Sequence, residues 1–160
     1  MRSKSKPLEN EAQARSYLLD LLARRDYSKS QLRQKLQQRD CPEQLIGMLL
    51  DEFETAGYQS DQRFVEAQVR QRLEAGQGRR KIEFDLRQKG VSTELLSTVL
   101  DAQDADGNQR ALEYMRRRYG ELPAEDQKER AKRFRHMAGR GFGFDEINYA
   151  IRHQLRDEEC

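Results

Sequence analysis

The chain repeats itself, and this constrains its fold more than any other feature. QLRQKLQQRDCPEQLIGMLLD at 31–51 aligns without a gap on KIEFDLRQKGVSTELLSTVLD at 81–101, a shift of 50 residues. Leu32 meets Ile82, Leu36 meets Leu86, Arg39 meets Lys89, and Leu45, Ile46, Leu49 and Leu50 meet Leu95, Leu96, Val99 and Leu100. A third copy, RHMAGRGFGFDEINYAI at 135–151, is shifted by 51. There Met137 falls opposite Leu86, Arg140-Gly141 opposite Lys89-Gly90, and Ile147 and Ile151 opposite Leu96 and Leu100. A fixed period of this size marks an architecture that packs one supersecondary unit against the next.

The unit is helical. Apolar residues recur at spacings of three and four, as in Ala14, Leu18, Leu21 and Leu22, and no run alternates strictly. Ser28-Lys-Ser-Gln31 has the form of a capping box, and Pro42 suits a first helical turn. Gly57, Gly76, Gly78, Gly90, Gly107 and Gly120 fall between stripes, where helices end. Each copy also has an upstream helix, at about 10–25, 60–75 and 108–119, followed by middle helices at 28–40, 78–90 and 127–142 and last helices at 42–57, 92–106 and 144–160. A further short turn is expected near Leu122-Pro123. The fold class is therefore all-α, an extended, curved stack of three tandem three-helix repeats. The expected boundaries are a flexible N-terminus at 1–9, repeats at 10–57, 58–106 and 107–156, and a tail at 157–160.

Composition agrees with a thin stack. Of 160 residues, 36% are charged and 36% hydrophobic, too few apolar residues for a thick globular core. Lys and Arg total 30 against 28 Asp and Glu, so the sum hides the distribution. The middle helices are net basic and the last helices net acidic, which would give one cationic and one acidic face if the repeats stack in register. No apolar run approaches the ~20 residues of a membrane span, and the N-terminus turns acidic too early for a secretory signal. Two cysteines, Cys41 and Cys160, make no disulfide framework. The expectation is a cytoplasmic monomer with reduced thiols and no membrane partner.

The residues offer little to catalysis. His136 and His153 have no second ligand at metal spacing, and no nucleophile–base pair is evident. Gly139-Arg-Gly141-Phe-Gly143 follows a basic helix rather than a strand, so it reads as a helix–turn rather than a phosphate loop. No enzyme, no metal and no cofactor are expected. Dense basic clusters are the stronger signal: Arg24, Arg25, Lys29, Arg70, Arg72, Arg79, Arg80, Lys81, Lys89, Arg116, Arg117, Arg118, Lys132, Arg133, Arg135 and Arg140, with Tyr27 beside Arg25. Such stripes bind nucleic acid by counterion release, without sequence preference. The competing account is a solvated face with helical ion pairs such as Asp20–Arg24, Glu66–Arg70 and Glu113–Arg117. Phe53, Phe64, Phe84 and Phe134 are assigned to packing. The acidic last helices argue against helix-turn-helix insertion into a DNA groove.

RRDYSKSQLRQKL (24–36), GYQSDQRFVEAQVRQRLEAGQG (57–78), LRQKGV (86–91) and RFRHMAGRGFGFDEI (133–147) together resemble the RecX family of bacterial recombination regulators over about 12–155. Gln31 stands where the family more often has Glu, Arg79 where Pro is common, and RDEEC at 156–160 lies outside the pattern. The resemblance implies three-helix repeats and binding to RecA in the groove of the RecA–DNA filament. It also implies inhibition of the RecA ATPase, coprotease and strand-exchange activities, and weaker contact with single- or double-stranded DNA. The basic clusters and Tyr27 are the expected contacts for RecA or DNA. The alternative is a stand-alone, sequence-nonspecific DNA-binding protein.

Overall fold

The computed structural model describes residues 6–154; the expectations for residues 1–5, for Cys160 and for the 157–160 tail lie outside these. The described residues form nine α-helices and no strand: α1 Glu11–Arg24, α2 Lys29–Gln38, α3 Glu43–Thr55, α4 Asp61–Glu74, α5 Arg79–Gln88, α6 Thr93–Gln103, α7 Gly107–Tyr119, α8 Gln127–Gly139 and α9 Phe144–His153. Gly120 and Glu121 form a turn just before Leu122-Pro123, where a short turn is expected, 122–126 carry no helix, and Leu122 is exposed.

Equivalent residues start equivalent helices. Asn10, Ser60 and Asp106 cap α1, α4 and α7, each accepting from the amide three residues on (Gln13, Arg63, Gln109). This supplies a partner for one of the orphan donors of a first turn. Ser28 and Gln31 close a reciprocal capping box on α2. From 31 to 50 and from 81 to 100, every position has the same burial class. Repeat 3 keeps buried residues at the slots of Leu36, Cys41, Ile46 and Leu49, as Met137, Phe142, Ile147 and Ala150, but the slot of Leu32 and Ile82 holds buried Arg133 and that of Leu45 and Leu95 holds Glu146.

The turn between middle and last helix is also repeated. It needs a left-handed residue, which is Gly90 (φ 80°) in the second copy, Gly141 (φ 101°) in the third and Asp40 (φ 55°) in the first. Glycine adopts this region without the Cβ penalty, and Asp tolerates it better than most residues do.

The chain divides into two compact units, one of residues up to Ala67 with Arg87–Leu95, the other of Gln68–Leu86 with Leu96 onward. The division runs through the helices of the second repeat, not between repeats. In the first unit, Ala14 and Leu18 of α1, Leu32 and Leu36 of α2, and Ile46, Leu49, Leu50 and Phe53 of α3 make the core. Leu8 joins them: its amide donates to Arg39 O at 2.9 Å, and the Arg39 guanidinium donates twice to Lys6 O. Residues 6–9 thus include a packed residue, Leu8. In the second unit, Ala111, Leu112 and Met115 of α7 meet Met137 of α8 and Phe142, Ile147 and Ala150 around α9. Phe53 and Phe64 are buried as expected, whereas Phe84 is 63% exposed, because its slot on α5 faces solvent like Gln34 on α2 and Arg135 on α8.

Each unit contains one copy of the same joint between repeats. In the first, the Ser28 hydroxyl at the start of α2 donates to Lys89 O at 2.6 Å, and a Cβ on Gly90 would collide with Ser30. In the second, the Gly78 amide donates to Arg140 O at 2.7 Å and the Arg80 amide to Gly141 O at 3.1 Å. Ser28 and Gly78 are equivalent, as are Lys89 and Arg140. A turn of one repeat thus satisfies polar groups at the start of the preceding repeat's middle helix. At Gly78 the backbones approach so closely that any Cβ would strike Gly141 and Phe142.

Candidate interaction surface

The structure sorts the basic residues by what surrounds them. Several are neutralised by the acidic last helices. Lys29 pairs with Asp51 at 2.8 Å and Glu54 at 3.6 Å, and Arg33 with Glu43 at 3.2 Å. One period later Arg79 pairs with Asp101 at 2.8 Å and with Glu83 at 2.9 Å. Hydrogen bonding to Asp51 raises the Lys29 pKa, and the Arg79 pKa is raised chiefly by Glu83. These pairs lie within a repeat, so its basic and acidic helices compensate one another there. In repeat 3 the slots of Lys29 and Asp51 hold Arg130 and Arg152, both exposed and basic.

Others are structural. Arg72 donates to Asp85 at 2.7 Å. Arg116 donates to the carbonyls of His153 and Gln154, holding the last turn of α9. Buried Arg133 donates to Glu129, Leu122 O and Gln154 Oε1 and lies 4.6 Å from the Tyr119 ring centroid. Tyr27 is buried beneath the Arg25 guanidinium at 4.3 Å, so its ring is not an open stacking platform. Lys89 is half-buried, 6.0 Å from the Phe64 ring, and Lys81 is half-buried against Gly141. Arg140 is half-buried, donating to Ala75 O at 2.6 Å.

Arg24, Arg25, Arg70, Arg80, Arg117, Arg118, Lys132 and Arg135 remain exposed. In the first unit Arg24 and Arg25 stand together at the end of α1. In the second, Arg117 and Arg118 stand at the end of α7, and Lys132 and Arg135 share an outer face of α8 with Lys128. Arg130 and Arg152 did not stand out as clusters in the sequence; the slot comparison that puts them where Lys29 and Asp51 pair in repeat 1 identifies them. Ion pairs at helical spacing form between Glu11 and Arg15, Arg79 and Glu83, and Glu129 and Arg133.

His136, which lacks a second ligand at metal spacing in the sequence, is half-buried in the structure. It takes the slot of Asp85, and its Nε2 is 2.7 Å from the Tyr114 hydroxyl. Burial lowers its pKa first, and the charges of Arg118 and Arg140 lower it further. Among the described residues no group of three or more His, Cys, Asp and Glu is placed to hold a metal ion, and no helix is long and apolar enough to cross a membrane.

These features define a tandem three-helix-repeat protein that exposes clustered arginines and lysines at the ends of α1 and α7 and along α8. The family models for the first, second and third three-helix domains of RecX match residues 14–53, 60–100 and 104–151. The regulatory protein RecX of Chromohalobacter salexigens is 41% identical over 143 residues, covering 89% of this chain and 93% of the relative. That of Ectopseudomonas mendocina is 34% identical over 146 residues, covering 91% and 97%. A crystal structure of RecX from Lactobacillus salivarius superposes with a TM-score of 0.77 over 90% of this chain and 96% of that one, at 18% identity, a likeness of fold. The chain belongs to the RecX family of regulatory proteins.

Proposed function

We propose that this protein is a non-catalytic, negative modulator of RecA that works in the cytoplasm as a monomer. It lies in the groove of the RecA–DNA filament and restrains ATP hydrolysis, coprotease action and strand exchange. The observation that carries this reading is the match of all three RecX repeat models in order along 14–151. The exposed pairs Arg24-Arg25 and Arg117-Arg118, together with Arg70, Arg80, Lys132 and Arg135, are the proposed contacts. Repeats at 10–57, 58–106 and 107–156 would each present their own patch, and several weak contacts to one polymer add through effective concentration. Tyr27, Lys29, Arg72, Arg79, Arg116 and Arg133 are left out of this set because their side chains serve the fold.

The test is RecA ATPase on single-stranded DNA with R24E/R25E and R117E/R118E. Potency should fall about tenfold or more for at least one pair, as the loss of charge-assisted contacts implies, with unchanged circular dichroism. Full potency from both would remove these pairs from the mechanism. The uncompensated cations of repeat 3 favour a second reading, sequence-nonspecific DNA binding without RecA. Such binding weakens steeply with salt. RecA inhibition that persists at salt where free DNA binding has vanished would exclude it.

A further inference from the structure

Repeats 2 and 3 differ at one half-buried ion pair, and the difference points to a ligand. Helices α4 and α7 superimpose by a shift of 46, which carries the cap Ser60 onto Asp106, buried Val65 onto Ala111 and buried Val69 onto Met115. Arg72 then falls on Arg118. The middle helices, shifted by 51, carry Asp85 onto His136. Where repeat 2 closes this place with an Arg72–Asp85 bond of 2.7 Å, repeat 3 sets Arg118 beside a histidine. The carboxylate is gone and the cation remains.

Other groups at the site add to the imbalance. A cavity of about 240 Å³ is lined by Glu74, Ala75, Gly76, Tyr114, Arg117 and Arg118. Arg140, following α8, adjoins two of these lining residues, its Nη2 donating to Ala75 O and its guanidinium 5.5 Å from the Tyr114 ring centroid. Its Nε is buried without a partner. Tyr114 stacks on His136, with rings 5.8 Å apart at 18°, and Tyr119 meets the same imidazole edge-on at 6.1 Å. Neither Arg117 nor Arg118 has an ion pair among the described residues, although Glu74 lines the cavity. Like charges gathered this closely are relieved by a counter-ion, and guanidinium groups match the geometry of phosphate.

We propose that the cleft between the C-terminal ends of α4, α7 and α8 binds a phosphate group, with Arg117, Arg118 and Arg140 as its donors and His136 behind them. The phosphate belongs either to a polynucleotide backbone or to a free phosphate compound. The first would deepen the proposed function by giving the third repeat direct contact with the nucleic acid of the filament. The site itself does not depend on the RecA reading.

Nuclear magnetic resonance titration of the full chain tests this. A bound anion favours protonated His136, so inorganic pyrophosphate or a short single-stranded oligonucleotide should raise the His136 pKa. H136D restores the carboxylate of repeat 2 and should reduce affinity about tenfold or more, as should R118Q on the surface. Response to the oligonucleotide alone assigns the site to a polynucleotide backbone; response to pyrophosphate as well assigns it to phosphate groups in general. No response to either probe, or wild-type binding by folded H136D and R118Q, overturns the proposal. Loss of binding with intact RecA inhibition would leave the site standing and separate it from the proposed function.

Discussion

Arg133 shows how one residue can keep a fold while breaking its chemical pattern. Its slot is filled by Leu32 and Ile82 in the other repeats, yet it is 8% exposed and bonded to Glu129, Leu122 O and Gln154. Gln154 in turn donates to Gly120 O and Leu122 O, so the arginine ties the irregular 120–126 segment to the end of α9. Arg133→Ala strands these acceptors and should cost about 3 kcal/mol in urea denaturation. Arg133→Ile strands the same acceptors but refills the slot as Ile82 does, so it should cost less than Arg133→Ala by the packing it restores. Asp40 offers the converse case. It alone among the three equivalent turn residues adopts positive φ with a side chain, so Asp40→Gly should stabilise the chain by up to about 1 kcal/mol. A lower midpoint would show that the aspartate makes a compensating contact. The turn at 39–41 was legible in the sequence by alignment with Gly90; the burial of Arg133 was not, because its bonds come from residues 4 to 21 positions away.

At the scale of elements, the joint between repeats governs. Ser28 is fully buried and serves twice, accepting from the Gln31 amide as a cap and donating to Lys89 O. Ser28→Ala loses both and should cost about 1–2 kcal/mol. Amide exchange should quicken at the first turn of α2; if it does not, the cap rather than the joint carries no weight in local stability. Ser28→Gly is the informative companion, because Gly78 fills the same place in the second joint with a backbone amide instead of a hydroxyl. The capping box itself was readable from Ser28 and Gln31. The partner on Lys89, 61 residues away, was not, since a helix start announces its need for hydrogen bonds but not where they come from.

For the whole molecule, charge pairing sets the response to acid. The lowered His136 pKa means that its neutral form is favoured by folding, so the stability it contributes is present above its ordinary value of 6.5 and lost as pH falls below that. Asp51 and Glu52 are also lowered, by Lys29 and Arg15, and their contribution is lost only as pH falls through the carboxylate range, below about 4. Mild acid should therefore weaken the second unit before the first. Unit-specific amide exchange between pH 7 and 5 checks this, and His136→Gln should flatten the response of the second unit. Equal loosening of both units in that window would exclude His136 as the cause.

Local pattern by itself determined the nine helices and the threefold period, because apolar spacing, caps and left-handed turns act over a few residues and recur at 50 and 51 positions. It also marked which residues carry positive charge. Only the tertiary structure decided which charges remain available. Lys29, Arg72, Arg79, Arg116 and Arg133 are consumed by partners on other turns and helices, while Arg117 and Arg118 are left exposed. A charge in sequence becomes a surface only after the fold has matched it, or failed to match it, with an opposite one.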